Sequence, residues 1–455
     1  MEAILSHYFG YKSFRPGQEE IITKILNHQH TLGVLPTGGG KSICYQVPGL
    51  MQGGTTIVIS PLISLMKDQV DQLQAMGIQA AYLNSSLTHK QQKEIEEQIK
   101  RGAIQFLYVA PERFENTFFL NLLRKIEIPL IAFDEAHCIS KWGHDFRPSY
   151  QSVIQKVFIL PQNFTIVALT ATATAEVQQD IMSKLSIGQN DVVKTSTKRR
   201  NLIFKVNPTY QRQKFVVDYV ANHEGQAGII YCSTRKQVEE LHEALNSEKI
   251  KSTIYHAGLT NKERIEAQND FLYDRVEVVI ATNAFGMGID KSNVRYVIHY
   301  NMPGDLESYY QEAGRAGRDG LKSECILLFS ERDKGLHEYF ITVSQADDDY
   351  KDKMGEKLTK MIQYTKTKKC LEATIVHYFE PNENLEECNQ CSNCIQENKT
   401  YDMTREAKMI ISCIARMKQQ ESYSVIIQVL RGEVTDYIKH HHYNELTTHG
   451  LMKNY

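Results

Sequence analysis

Short apolar runs recur through the first two-thirds of the chain, separated by amphipathic stretches. Residues 31–35, 56–60, 104–110, 130–133 and 164–170 are rich in Val, Ile, Leu and Phe and read as buried strands. Between them, 62–76 and 90–101 have helical spacing. Alternation of this kind predicts a parallel sheet with helices on both faces. A second series of apolar runs, at 227–232, 253–256, 276–281, 294–300 and 324–329, predicts a second sheet of the same type. The polar stretch 188–201 lies between the two series and is expected to connect two α/β domains of similar size.

Beyond about residue 331 the strand signal stops. Residues 334–379 become helical and lysine-rich, and 381–398 are short, polar and cysteine-bearing, with Pro381 as punctuation. From Thr404, the positions Ile410, Ile411, Ile414 and Met417 fall on one helical face, and Val425, Ile426, Val429 and Leu430 form another. A small helical module is expected there. The length of 455 residues is beyond what one core spans, which agrees with several domains.

Composition narrows the class. Apolar residues at 42% and charged residues at 23% exclude wholesale disorder, collagen-like sequence and a membrane bundle. No apolar run approaches the length that crosses a bilayer, and residues 1–14 show no secretory pattern. The balance of 52 basic against 54 acidic residues argues against nucleic-acid binding by bulk charge, while leaving room for a local basic groove. Five of the nine cysteines (Cys44, Cys138, Cys232, Cys325, Cys413) stand alone in apolar surroundings and are expected to be small buried hydrophobes. The other four cluster as in a metal site, which implies a reducing, cytoplasmic location.

Three motifs point to nucleotide chemistry. Leu35-Pro-Thr-Gly-Gly-Gly-Lys-Ser42 lies between a predicted strand and a helical stretch, the setting of a phosphate-binding loop. Thr37, Gly38, Gly39 and Gly40 would close backbone N–H groups around a polyphosphate such as ATP, Lys41 would neutralise the β- and γ-phosphates, and Ser42 would ligate Mg²⁺. Asp134-Glu135-Ala-His137 ends the apolar run 130–133, at the strand edge where α/β ligands bind. Asp134 would hold the Mg²⁺ water shell and Glu135 would act as general base on the attacking water. In the second domain, Gln311-Glu-Ala-Gly-Arg315-Ala-Gly-Arg318 offers two arginines to a γ-phosphate across the domain gap, and such an arginine finger is worth about 10³–10⁵ in rate.

Cys370, Cys388, Cys391 and Cys394 form a fourth motif, in which the last three are each separated by two residues. Thiolates at this spacing can close a tetrahedron around Zn²⁺. The polar residues around them cannot build a core, so the metal is expected to stand in for one. Three consecutive histidines, His440 to His442, point to different sides of a helix and read as solvated surface.

The ordered set of motifs resembles that of a superfamily 2 helicase, and specifically a RecQ-type DNA helicase, along nearly the whole chain. Helicases of this type lack the leading Gly of the general phosphate loop, where this chain has Leu35. Phe14-Arg-Pro-Gly-Gln18 resembles the adenine-recognition motif, giving Gln18 the adenine edge with Arg15 and Tyr11 packing on the ring. Ser60-Pro-Leu-Ile-Ser-Leu-Met66, Ala168-Leu-Thr-Ala-Thr172 and Ile280-Ala-Thr-Asn-Ala-Phe-Gly-Met-Gly-Ile-Asp290 continue the series, and Asp290 joins the nucleotide site. The segment 138–148, with the chain's one tryptophan, resembles the family's aromatic-rich loop. Trp142, His144, Phe146 and Arg147 would then couple DNA contact to hydrolysis, and the polar residues around Trp142 argue for an open ring. Base stacking on such aromatics is worth roughly 1–3 kcal/mol per base, while opening duplex costs about 1.4 kcal/mol per step, so a motor is favoured over a passive binder.

The resemblance implies RecA-like domains at 1–200 and 201–335, a helical zinc-binding module at 336–400 and a shortened winged-helix region at 401–455, with 446–451 as its recognition-helix region and no wing hairpin before Tyr455. Arg200 and Ser292 stand where relatives carry Pro. The implied activity is ATP-dependent translocation 3′ to 5′ on single-stranded DNA, with duplex unwinding in recombination and repair. The enzyme is expected to be a cytoplasmic monomer, nucleoid-associated if bacterial, with ATP, Mg²⁺ and Zn²⁺ as cofactors and single-strand-binding or repair proteins as candidate partners. Two other readings stay open: an RNA-directed helicase, and a nucleotide-gated DNA-binding or annealing protein that hydrolyses ATP without unwinding.

Overall fold

The apolar runs of the first domain form β1 (Thr31–Val34), β2 (Thr56–Ile59), β3 (Ala80–Leu83), β4 (Phe106–Val109), β5 (Leu130–Phe133), β6 (Thr165–Thr170) and β7 (Val192–Lys194). They pair in the order β3-β4-β2-β5-β6-β1-β7, each pair parallel. The second domain contributes β8 (Leu202–Pro208), β9 (Ala227–Tyr231), β10 (Ser252–Tyr255), β11 (Val278–Ala281), β12 (Val294–His299) and β13 (Ser323–Phe329). Their order is β10-β11-β9-β12-β13-β8, again parallel throughout. A computed structural model of the chain describes residues 1–61, 63–143, 145–285, 291–344, 346–395 and 403–453, residues 63 and 64 by their backbone alone.

Both sheets are sandwiched between helices, as the continuous apolar runs require, and each sheet has one apolar cluster on either face. Fully burying a Leu, Ile or Phe in such a layer stabilises the fold by about 1.5–3 kcal/mol. The loops leaving the C-terminal ends of β1, β5 and β6 converge where the strand order reverses around β1, and this crevice holds the functional site.

Three strands escaped the hydrophobic pattern. β3 is built on two alanines, which carry little strand signal. β7 is three residues long and lies inside the polar stretch expected to be a connection, yet Val192–Lys194 pair with Leu32–Val34. The passage between sheets is therefore confined to 195–201. β8 is an edge strand whose alternation fades toward Pro208.

The chain divides into two compact units, Met1–Ile395 and Gln396–Tyr455. The first contains both sheets and the helices Glu331–Val343, Asp348–Lys366 and Leu371–Phe379. These helices form the expected helical module, but an apolar core shared with the second sheet, rather than metal alone, holds it together. Leu358, Met361, Tyr364, Ile375 and Phe379 are continuous with the apolar cluster under the second sheet, and Cys391 belongs to that cluster.

The second unit packs helices Thr404–Arg416, Tyr423–Arg431 and Asp436–His440 around Cys413, Met417, Val429, Leu430 and Ile438. Its first helix buries the Cys413–Met417 stripe, while Ile410 and Ile411 are exposed, so the expected face is rotated by about one position. Residues 446–451 form turns in place of a recognition helix. Gly450, at φ +76°, lets the chain fold back so that its N–H donates to the Val429 carbonyl at 2.9 Å. His440 to His442 are exposed, as read. The isolated cysteines are all buried. No helix among the described residues is long and apolar enough to cross a membrane.

Candidate active site

The phosphate loop leaves β1 and turns tightly, with the Gly39 N–H donating to the Pro36 carbonyl at 2.8 Å. Gly38 and Gly40 have φ of +79° and +71°, the left-handed region that glycine enters at no steric cost. A Cβ on Gly40 would lie 2.6 Å from Gln18 Nε2, so a side chain there would push the Gln18 amide off the loop. Ser42 precedes the helix Ile43–Gln52, whose N-terminal N–H groups and dipole favour an anion in the loop. Gln18 is buried and turned toward this loop. Its Nε2 donates to the carbonyls of Gly39 and Gly40 at 3.1 and 2.9 Å, and its Oε1 accepts the Arg15 N–H at 2.8 Å. The Arg15 guanidinium donates to the Gly38 carbonyl, and Tyr11 is exposed at the rim of the same cleft.

Asp134 follows β5. Its N–H donates to the Ile59 carbonyl at 2.9 Å, and its own carbonyl accepts the Tyr150 hydroxyl at 3.0 Å. Burial pushes the Asp134 carboxyl up to about 7, the charge of Glu135 adds to the rise, and Lys41 opposes both. Glu135 has φ +47°, a left-handed conformation that costs a non-glycine residue about 1–3 kcal/mol and marks functional turns. Its Oε2 lies 3.4 Å from His137 Nδ1, which in turn lies 3.1 Å from Thr170 Oγ1 at the end of β6. The acidic pair is thus tied to the neighbouring strand through a buried histidine.

The helix Leu306–Ala313 of the second domain leads through Gly314 to Arg315 and Arg318, which form part of the opposite wall. Arg315 is buried, and both arginines line the same cleft of about 390 Å³ as Lys41, Ser42, Asp134 and Glu135. A Cβ on Gly314 would lie 2.6 Å from Thr37 Oγ1, so the two domains touch here closely enough to require glycine. Ser292 lies in the lining of the cleft.

Arg199, in the passage between the sheets, was not singled out by the sequence. Its guanidinium donates to the Thr37 carbonyl at 2.8 Å and to the carbonyls of Gly314, Ala316 and Gly317 at 3.3, 3.1 and 2.9 Å. It therefore joins the phosphate loop to the arginine loop without a carboxylate partner among these bonds. Its only sequence signal was a basic run beside a domain boundary.

The loop after the acidic pair differs from expectation. Trp142 is half-buried and packs against the first core, with Lys141 Nζ and Lys353 Nζ 5.5 and 5.8 Å from its ring. A ring flanked by two ammonium groups gains cation–π attraction, which explains why polar neighbours did not leave it open. Arg147 is held by Asp145 at 2.9 Å and by the Pro61 carbonyl at 2.8 Å, and Phe146 is partly buried. His144 and Asp290 lie outside the described residues.

Cys370 caps the helix Leu371–Phe379, and Cys388, Cys391 and Cys394 approach it from the following loop. The sulfurs lie within 4.8 Å of one another, with Cys391–Cys370 at 3.9 Å, Cys388–Cys394 at 4.0 Å and Cys391–Cys394 at 3.4 Å. A tetrahedron with Zn–S bonds of about 2.3 Å has edges near 3.8 Å, so the four thiols fit zinc. The N–H groups of Leu371, Ala373 and Cys391 point at Sγ atoms of Cys391, Cys370 and Cys388, which favours thiolates.

Two parallel α/β domains facing each other across a phosphate loop, an acidic pair and two arginines define a nucleotide-driven motor of the helicase type. Models for the DEAD/DEAH box helicase, helicase conserved C-terminal, RecQ zinc-binding and RQC domains match residues 15–181, 211–320, 331–395 and 397–455. The ATP-dependent DNA helicase RecQ of Bacillus subtilis is 46% identical over 454 residues, covering 100% of this chain and 76% of the relative. That of Pasteurella multocida is 40% identical over 452 residues, covering 99% and 71%. Among solved structures, the Mycobacterium smegmatis helicase Lhr bound to single-stranded DNA and AMP-PNP shares the fold at TM-score 0.58 and 16% identity, over 78% of this chain and 56% of that one. Saccharomyces cerevisiae Dbp5 bound to RNA shares it at TM-score 0.60 and 18% identity, over 78% and 96%. The chain belongs to the RecQ family of ATP-dependent DNA helicases.

Proposed function

We propose that the protein hydrolyses Mg-ATP to step 3′ to 5′ along single-stranded DNA and to part duplex DNA during recombination and repair. The observation that carries this is one cleft lined by Lys41, Ser42, Asp134 and Glu135 from the first domain and by Arg315 and Arg318 from the second. Thr37, Gly38, Gly39 and Gly40 wrap the phosphates, and Lys41 neutralises their charge. Ser42 and Asp134 would hold magnesium, which when bound neutralises charge shared between phosphate oxygens. Glu135 takes a proton from the attacking water, and Arg315 and Arg318 stabilise charge on the transferring phosphoryl group. Tyr11, Arg15 and Gln18 hold the adenine end, with Asp290 contributing from the second domain. DNA meets the loop bearing Trp142, His144, Phe146 and Arg147. Domain limits at 200/201, 335/336 and 400/401 are proposed on the same division of roles. The 3′ to 5′ polarity follows the family that the motifs resemble.

The test is strand displacement on a 3′-tailed duplex, with Glu135→Gln as control. The wild-type chain should release the strand with ATP and Mg²⁺, and Glu135→Gln should bind ATP yet lose turnover by about 10²–10⁴. ATP turnover without displacement would reduce the protein to a translocase or a nucleotide-gated switch.

A further inference from the structure

We propose that Lys357 is a positioning residue that carries DNA contact at the Trp142 loop to the arginines of the nucleotide cleft. This rests on the reading that the Trp142 loop meets DNA. Lys357, on the helix Asp348–Lys366, is 5% exposed. Its Nζ donates to the Trp142 carbonyl at 2.7 Å and lies 3.1 Å from Glu307 Oε1. Glu307 is 2% exposed and stands in the first turn of the helix Leu306–Ala313, the helix that runs directly into Gly314 and Arg315. The same Glu307 oxygen accepts the Tyr378 hydroxyl at 2.8 Å, from the helix capped by Cys370. One ammonium group thus joins the loop behind the acidic pair, the helix that carries the arginines, and the helices flanking the cysteine cluster.

Packing does not explain a charge at this position. A buried ammonium persists only when a counter-charge and further acceptors hold it, and a methionine of similar length would fill the same space without that requirement. The acceptor on the loop is a backbone carbonyl, so it moves with the loop whatever the indole does. The Glu307 Oε2 atom has no hydrogen-bond partner among the described residues, so the pair is not saturated and a second arrangement can compete with this one. The helix Leu306–Ala313, at about 1.5 Å per residue, transmits a shift of Glu307 to Arg315 as a short rigid rod. Insertion of a base beside Trp142 would displace its carbonyl, pull on Lys357 and Glu307, and reset Arg315 and Arg318 in the cleft.

The test uses the full chain with the pair neutralised together, Lys357→Met with Glu307→Gln, which leaves no unpaired buried charge. Four quantities are measured: ATP turnover without DNA, turnover with saturating oligo(dT), oligo(dT) affinity by fluorescence anisotropy, and zinc content. We expect DNA-free turnover, affinity and zinc content within about twofold of wild type, and the stimulation by DNA reduced by about tenfold or more. Tyr378→Phe, which removes the second hydrogen bond to the same Glu307 oxygen without stranding a charge, should move stimulation in the same direction and provides the measurement if the double variant does not fold. Stimulation within twofold of wild type overturns the relay, and so does a parallel fall of DNA-free and stimulated turnover, which would mark a purely structural role. Trp142→Ala separates the two levels. If it loses stimulation while the neutral pair keeps it, the relay alone is wrong, whereas unchanged affinity and stimulation in Trp142→Ala removes the loop reading and the relay with it.

Discussion

Asp134 illustrates how burial prepares a group for one ligand. Its carboxyl, pushed up to about 7 by burial and by Glu135 against the pull of Lys41, is ionised above that value and protonated below it. A divalent cation binds the ionised form, so below about pH 7 a proton must leave first. The Mg²⁺ concentration for half-maximal ATP turnover is therefore expected to rise by about tenfold per unit of pH below 7, and to level off above it. Titrating Mg²⁺ at several pH values checks this, and a flat requirement would remove Asp134 as the metal's carboxylate. Asp134 was legible in the sequence because acidic residues after an apolar strand carry their chemistry in their type. Arg199 and Lys357 were not. Their partners include backbone carbonyls, which every residue offers, and the Lys357–Trp142 bond joins positions 215 apart in the chain.

The elements read from the apolar pattern appear in order, and the exceptions share a cause. β3, β7 and β8 are short or lie at an edge, so pairing with a neighbour, more than side-chain hydrophobicity, defines them. The cysteine spacing disclosed the metal set but not the company it keeps. The helix Leu371–Phe379 starts at Cys370 and ends at Phe379, whose ring lies 5.4 Å from that of Tyr310, just before the arginine loop. Loss of zinc should therefore weaken the second domain as well as the loop that binds it. Cys391→Ser is expected to abolish stoichiometric zinc by elemental analysis. It is also expected to lower the melting temperature of the full chain by several degrees, as a loss of about 1–3 kcal/mol would. Full zinc content in that variant would refute the site.

Taken over the whole chain, the net charge of −2 no longer counts against a nucleic-acid enzyme. A motor must release its track at each step, and a few placed cations with stacking groups suit that better than a uniformly basic surface. Arg199 matters more to this behaviour than the sum of charges, since it fastens the phosphate loop of one domain to the arginine loop of the other. Hydrogen bonds to a charged donor are worth about 1.5–3 kcal/mol each, and Arg199→Ala removes four to main-chain carbonyls and one to Asn201 Oδ1 while leaving the acceptors in place. We expect its DNA-stimulated kcat to fall by about tenfold or more with a smaller change in the KM for ATP, measured by steady-state kinetics. An unchanged kcat would assign Arg199 to folding alone.

Four of the five acceptors of Arg199 are main-chain oxygens, the fifth being Asn201 Oδ1, and this has a consequence for how the enzyme tolerates mutation. No side-chain replacement at Thr37 or Ala316 can delete the oxygen that the guanidinium grips. The fastening between the domains is thus insulated from drift in both loops and concentrated in a single codon, that of the arginine itself.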